Sequence, residues 1–375
     1  MSIRNNTWDL GGHYDLTKSG QNEYLGGADT LFSFGNNNLG QLGQNNTTQY
    51  SSPVQIPGTT WSSISDGGTS GSGVGSFHLL ATKTDGTLWA WGNNGIGQLG
   101  QNNTTGYSSP IQIPGNTWSS VSVGGEDYTL ATKTDGTLWT WGRNNQGQLG
   151  QNNRTNRSSP IQIPGNTWSS ISAGDVHSLA TKTDGTLWSW GYNSSGQLGQ
   201  NDRTQYSSPI QIPGTTWSSI SGGNYYSLAT KTDGTLWSWG SDNSGKLGQN
   251  SLIDYSSPVQ IPGTTWSSIS ASYSTSLATK TDGTLWAWGR TRILPSTSSS
   301  PIQIPGNTWS SISAGFEHVL ATKTDGTLWS WGYGDNGQSG QNNRTSYSSP
   351  RQIPGNTWSS ISAVNQHSLA TKFVE

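Results

Sequence analysis

Apolar residues along this chain fall in short, strand-length runs, and the runs return in the same order at near-constant spacing. One copy reads Trp168-Ser-Ser-Ile-Ser-Ala173, a short turn, His177-Ser-Leu-Ala-Thr-Lys182, then Thr183-Asp184-Gly185 and Thr186-Leu-Trp-Ser-Trp190. No segment shows a 3.6-residue apolar period, so the pattern predicts antiparallel strands rather than helices. The Asp-Gly pair is expected to supply the positive backbone dihedrals of a hairpin, and strand alternation puts Trp188 and Trp190 on one face. A polar loop from Gly191 onward delivers Ser208-Pro-Ile-Gln-Ile-Pro213 as a fourth strand, where prolines suit an edge that need not donate ladder bonds.

The tryptophan-glycine pairs Trp91-Gly92, Trp141-Gly142, Trp190-Gly191, Trp239-Gly240, Trp288-Gly289 and Trp331-Gly332, with Phe34-Gly35 as a degenerate copy, count seven units. Steps of 43 to 57 residues between these glycines fit a four-stranded propeller blade better than a helical repeat. The chain starts its repeats with the third and fourth strands of a unit, Thr30-Leu-Phe-Ser-Phe-Gly35 and Ser52-Pro-Val-Gln-Ile-Pro57. It ends with the first and second, Trp358-Ser-Ser-Ile-Ser-Ala363 and His367-Ser-Leu-Ala-Thr-Lys372. Joined in one blade, these halves close a ring and remove its exposed sheet edges. The expected architecture is therefore an all-β, seven-bladed propeller over residues 30–375, preceded by a non-repeat arm at 1–29.

Composition sharpens this picture in two ways. An apolar fraction of 29% with 51 glycines would suit a disordered chain, but 20 tryptophans, all but Trp8 in the repeats, argue for a large core. Each buries about 150–250 Å², worth on the order of 4–6 kcal/mol as an upper bound. A net charge of −2 with 10% charged residues offers no basic footprint, so no nucleic-acid partner is expected. No apolar run is long enough to span a membrane, the start lacks the apolar stretch of a secretory signal, and there is no cysteine for disulfides or thiolate metal sites.

Gly97-Gln-Leu-Gly100, Gly147-Gln-Leu-Gly150 and Gly196-Gln-Leu-Gly199, a histidine strand, Asp-Gly and Trp-Gly recur in register, with Gly245-Lys-Leu-Gly248 and Gly337-Gln-Ser-Gly340 as departures. This pattern resembles the regulator of chromosome condensation propellers over residues 30 to 375. The resemblance implies the propeller fold; the founding eukaryotic member is a nucleotide exchange factor on chromatin, and others serve as inhibitors or adaptors. This chain has no basic tail and no segment that matches an exchange-factor wedge. Its near-identical Asn-Asn-Thr-Thr and Ser-Ser-Pro-Ile-Gln-Ile-Pro phrases look like repeat proteins encoded by marine bacteriophages.

Candidate chemistry is dispersed around the ring. His78, His177, His318 and His367 share one repeat position with Tyr128, Tyr226 and Thr275, which suits a hydrogen bond between strand and turn rather than a general base or metal ligand. Asp85, Asp135, Asp184, Asp233, Asp282 and Asp325 are all hairpin-turn residues, and no serine lies in a nucleophile elbow. The sequence thus predicts no enzyme, no cofactor and no metal site.

Diversity falls in two loop sets that a four-stranded blade places on one face, the first-to-second turns and the third-to-fourth loops. Aromatic and arginine side chains are common interface anchors, so Arg143, Tyr192, Tyr225, Tyr226, Tyr273, Arg290, Arg292, Phe316 and Tyr333 are candidate contacts. One unit replaces its long polar loop with Arg290-Thr-Arg-Ile-Leu-Pro295, where Ile293 and Leu294 are expected to lie exposed as an apolar-cationic patch that Ile253 extends. Asp66 to Ser76 is a Gly/Ser insertion expected to form a mobile flap. The arm carries Trp8, His13, Tyr14 and Tyr24 as docking candidates.

The function these features suggest is a non-catalytic interaction scaffold, a virion-associated protein presenting its loops to other virion proteins or to a host-surface receptor or glycan. A soluble inhibitor or adaptor that caps a protein partner, and a carbohydrate-binding propeller, are the alternatives.

Overall fold

A computed structural model of the chain describes residues 28–66, 77–290, 293–294 and 296–374. Its 28 strands form seven four-stranded antiparallel sheets. Blades 1 to 6 each use four consecutive strands, starting at Trp61, Trp118, Trp168, Trp217, Trp266 and Trp309. Blade 7 is assembled from both ends of the chain, in the order Tyr50–Gln55, Ala28–Gly35, His367–Val374, Trp358–Val364. Its central pair runs in unbroken register from Ala28 opposite Val374 to Gly35 opposite His367. The Thr30 hydroxyl adds a bond to the Lys372 carbonyl at 3.0 Å.

First strands line the centre of the ring, each touching the first strand of the next blade. Their third serine points sideways: Ser122 Oγ accepts from the Ala173 amide at 2.9 Å, and Ser172 Oγ from the Gly222 amide at 2.9 Å. A small hydroxyl at this position lets strands that share no ladder exchange a hydrogen bond where the blades converge.

The apolar core is divided among seven wedges, one per blade junction. Between blades 2 and 3, Leu130, Leu138, Leu149 and Ile163 pack on Trp168, Ala180 and Trp190. Trp168 stands edge-on to Trp188 and Trp190, each at 6.2 Å between ring centroids. The Lys182 ammonium lies 4.8 Å from the Trp168 ring and 4.2 Å from Trp188, covering the outer end of the wedge with its aliphatic stem. Because each wedge needs two blades, a single repeat has no core of its own.

The Asp-Gly hairpins differ from the expected form. Only the glycine takes a positive φ, as at Gly185 (77°). Asp184 instead accepts from the Thr186 amide at 3.0 Å and its hydroxyl at 2.6 Å through one oxygen. Those bonds hold the carboxyl below its ordinary range.

Candidate protein-interaction face

The residue after each Trp-Gly pair donates its amide to the last residue of the preceding turn: Arg143 to Asp127 O at 2.9 Å, Tyr192 to Val176 O at 3.0 Å, Tyr333 to Glu317 O at 2.8 Å. Both diversified loop sets therefore emerge on one side of the ring. The turns are also joined to one another, by Glu126 N to Asp175 O at 3.0 Å, Asp175 N to Gly223 O at 3.2 Å and Asn224 N to Ser272 O at 3.0 Å. Blades 2 to 5 thus share a continuous rim.

Several candidate contacts meet on this rim. Tyr192 and Tyr225 pair at 5.6 Å, Tyr273 and Phe316 at 4.8 Å, and all four rings remain partly exposed. Arg143 binds the Asp127 carboxylate at 3.0 Å, and Gln98 Nε2 donates to the other oxygen of Asp127 at 2.8 Å. Burial nonetheless raises the Asp127 carboxyl, against the pull of Arg143. Arg290 is exposed and Tyr333 half-buried. Arg292, Trp8, His13, Tyr14, Tyr24 and the 67–76 part of the expected flap lie outside the described residues.

Three expected contacts are corrected. Tyr226 is fully buried, with its hydroxyl donating to Thr275 O of the next blade at 2.7 Å, so it joins blades and meets no partner. Ile293 and Leu294 are 2% and 6% exposed, packed with Trp309 and Trp331 in the wedge between blades 5 and 6. In five other units that space belongs to the Leu of the Gly-Gln-Leu-Gly position: Leu42, Leu99, Leu149, Leu198 and Leu247 are all fully buried. The shortened loop has no such leucine and fills the volume with its own apolar pair. The surface patch reduces to Leu252 and Ile253, 65% and 62% exposed.

The Gly-Gln-Leu-Gly loop is a junction device. Gln148 O accepts from Trp190 Nε1 and from Ser178 Oγ, both at 2.8 Å, so the loop of blade 2 is pinned to blade 3. Gly150 (φ 68°) leaves room for that indole; a Cβ there would lie 2.9 Å from Trp190 Nε1. Trp331 packs with Ile293 and Leu294 of the shortened loop, and among the described residues its Nε1 has no hydrogen-bond partner.

Histidines belong to the same network. His177 Nε2 lies 2.9 Å from Ser227 Oγ, which itself donates to Gln197 O at 2.9 Å. Since that hydroxyl spends its proton on the carbonyl, His177 donates from Nε2 and is neutral. Burial lowers its pKa to about 3, as it does for His78 and His318. Gly174 makes space for the ring, since a Cβ would sit 2.4 Å from His177 Cε1.

A buried clamp went unrecognised in the loops read as variable. Asn94 accepts from the Leu99 amide at 2.9 Å and donates to Thr105 O at 2.9 Å, and Asn37, Asn144 and Asn193 repeat this role. Blade 4 has Asp242 there, raised to about 6 by burial, and Lys246 in place of the loop glutamine. Lys246 is buried, lowered to about 8 by desolvation, and donates to Asn224 O at 2.8 Å. The two departures are complementary in charge. Their sequence signal was the simultaneous change of both repeat positions.

Among the described residues no three His, Cys, Asp or Glu side chains are placed to hold a metal ion, and no helix is long and apolar enough to cross a membrane. A profile of the "Regulator of chromosome condensation (RCC1) repeat" matches residues 29–70, 85–131, 135–181, 184–230, 233–279 and 325–371, more than half of the chain. The chain belongs to this family. A second profile of the RCC1 repeat matches 118–148, 168–197, 217–246 and 309–338. The longest stretches between matches of the first profile are 280–324, which holds the shortened loop, and 71–84, within the first full repeat. A curated relative, "Protein RCC2 homolog" of Danio rerio, is 36% identical over 99 residues, 26% of this chain and 19% of that protein. The match thus spans about a fifth of the relative's length.

Solved structures share the RCC1 fold at low identity. Human WBSCR16 superposes with a TM-score of 0.81 at 20% identity, covering 92% of this chain and 99% of that one. Prp20p from Saccharomyces cerevisiae, described with its binding properties to Gsp1p and histones, gives 0.80 at 20% identity, covering 94% and 93%. Yeast RCC1 (Prp20) has also been solved bound to Kap60, with a TM-score of 0.79 at 19% identity, covering 93% and 90%.

Proposed function

We propose that this RCC1-repeat propeller is a non-catalytic protein-binding scaffold that engages its partner through the rim of first-to-second turns and third-to-fourth loops. The observation that carries the reading is the segregation of the diversified residues. Tyr192, Tyr225, Tyr273 and Phe316 are partly exposed as two ring pairs on one face, whereas the nearly invariant hairpins and Ile-Pro-Gly turns serve the wedges. Yeast Prp20, described with its binding to Gsp1p and histones and solved bound to Kap60, supports protein recognition as a use of this fold. The particle setting rests on the sequence resemblance alone, since none of the relatives named above is a viral protein.

Affinity capture from the native source, followed by titration of the purified partner, tests the reading. The expected result is one stoichiometric protein whose affinity falls at least tenfold on combining Tyr225→Ala with Phe316→Ala. A partner retained by that variant but lost on Lys133→Gln and Lys182→Gln, on the hairpin side, would overturn the assignment of the face. Glycan binding in place of protein would favour the carbohydrate alternative.

A further inference from the structure

We propose that the rim of blades 2 to 5 receives a cationic side chain, arginine or lysine, of the protein partner against the carboxylates of Glu126 and Asp175. This deepens the protein-binding reading and rests on it.

Asp175 is the informative residue. It is 2% exposed, and its Oδ2 accepts from Asn224 Nδ2 at 2.7 Å, but among the described residues its Oδ1 meets no donor. A buried carboxylate with one oxygen unsatisfied is destabilising, and a fold held by blade-to-blade bonds on either side cannot relax to remove the defect. Asp175 N and O are both used in such bonds, to Gly223 O and from Glu126 N. The second of these brings Glu126, half-buried, alongside.

Local cations are already committed. Arg143 is bonded to Asp127 at 3.0 Å, and Lys246 to Asn224 O at 2.8 Å. Among the described residues neither Glu126 nor Asp175 forms an ion pair. Titratable groups that face Asp175 are Glu126, Lys246, Tyr225 and the buried Tyr128. Burial first, and the Glu126 charge second, raise Asp175 to about 7; burial likewise raises Glu126.

The surroundings favour an organic cation. Tyr225, raised to about 12 by burial and by these two carboxylates, pairs with Tyr192 at 5.6 Å. A guanidinium or ammonium group gains from carboxylate and aromatic contact together. A bare metal ion lacks a third acidic or imidazole ligand among the described residues. The rim continues to the partly exposed Tyr273–Phe316 pair, which offers an anchor for the rest of a polypeptide that a small polyamine cannot use.

Bound positive charge favours ionised Asp175, so association below pH 7 releases a proton and weakens as pH falls. The test titrates the intact chain with an acetylated, amidated Arg-Gly-Arg-Gly peptide, its citrulline counterpart and spermidine. The arginine peptide is expected to bind at least tenfold more tightly than the other two. Its affinity should fall about tenfold from pH 8 to pH 6, following the ionised fraction of a group with a pKa of about 7. Asp175→Asn, isosteric and able to accept from Asn224, and Glu126→Gln at the half-exposed neighbour should each lose at least tenfold.

Equal binding of the citrulline peptide, or affinity unchanged in both variants, would overturn the proposal. Spermidine binding as tightly as the peptide would overturn the protein source of the cation. If the peptide fails while the Tyr225/Phe316 variant still loses the captured partner, the cation site falls and the protein-binding reading stands.

Discussion

His177 of blade 3 places Nε2 2.9 Å from Ser227 Oγ of blade 4, and this contact makes an imidazole part of the seam between two sheets. Tyr128 solves the same problem from the preceding blade, reaching the His177 carbonyl and a second one at Gly174 (3.2 Å) with its hydroxyl. One repeat position thus supplies a junction bond by either ring.

The histidine version carries an acid liability. Its folded pKa of about 3 lies below the unfolded value of 6.5, so the unfolded chain binds more protons below pH 6.5. Stability is fully present above pH 6.5 and is lost as pH falls through the window from 6.5 to about 3, by about 1.4 kcal/mol per pH unit for each such histidine. His177→Tyr should fold, because Tyr128 and Tyr226 fit the same position. Thermal melts between pH 7.5 and 4.5 should show its acid slope reduced by one histidine's share; an unchanged slope would refute the assignment.

Tryptophans in matched positions should respond unequally. Trp190→Phe removes the indole bond to Gln148 O, whereas Trp331 Nε1 has no such bond to lose. Chemical denaturation should find Trp190→Phe more destabilising by about 1–2 kcal/mol. Equal losses would show that the shortened loop supplies a replacement acceptor.

Gly150→Ala should destabilise by about 1–3 kcal/mol, combining left-handed strain with displacement of the Trp190 indole. Urea unfolding gives the value. A loss below about 0.5 kcal/mol, the scale of ordinary surface changes, would mean the loop yields without disturbing the junction.

Repeat spacing made the blade count and the closing pair legible before any coordinates, because the two half-units at Thr30–Pro57 and Trp358–Lys372 complement each other strand for strand. The face of the diversified loops followed from the same topology. Tyr226 was misread although it occupies the His177 position, which periodicity had already marked as structural. Ile293 and Leu294 were misread for a different reason. A shorter loop is visible in sequence, but the volume left by its missing leucine is a property of two packed blades. Asp175 was legible only as one member of a varied turn; its unsatisfied oxygen depends on three turns from different repeats.

The central claim is a ring sealed by its own extremities, which sets the rim of turns in register. Hydrogen exchange followed by mass spectrometry tests it directly, by comparing 28–35 and 367–374 with the equivalent central pair of blade 3, 177–182 and 187–191. The account predicts matching protection in both pairs, rising and falling together with global stability. Rapid exchange confined to 28–35 and 367–374 would contradict it.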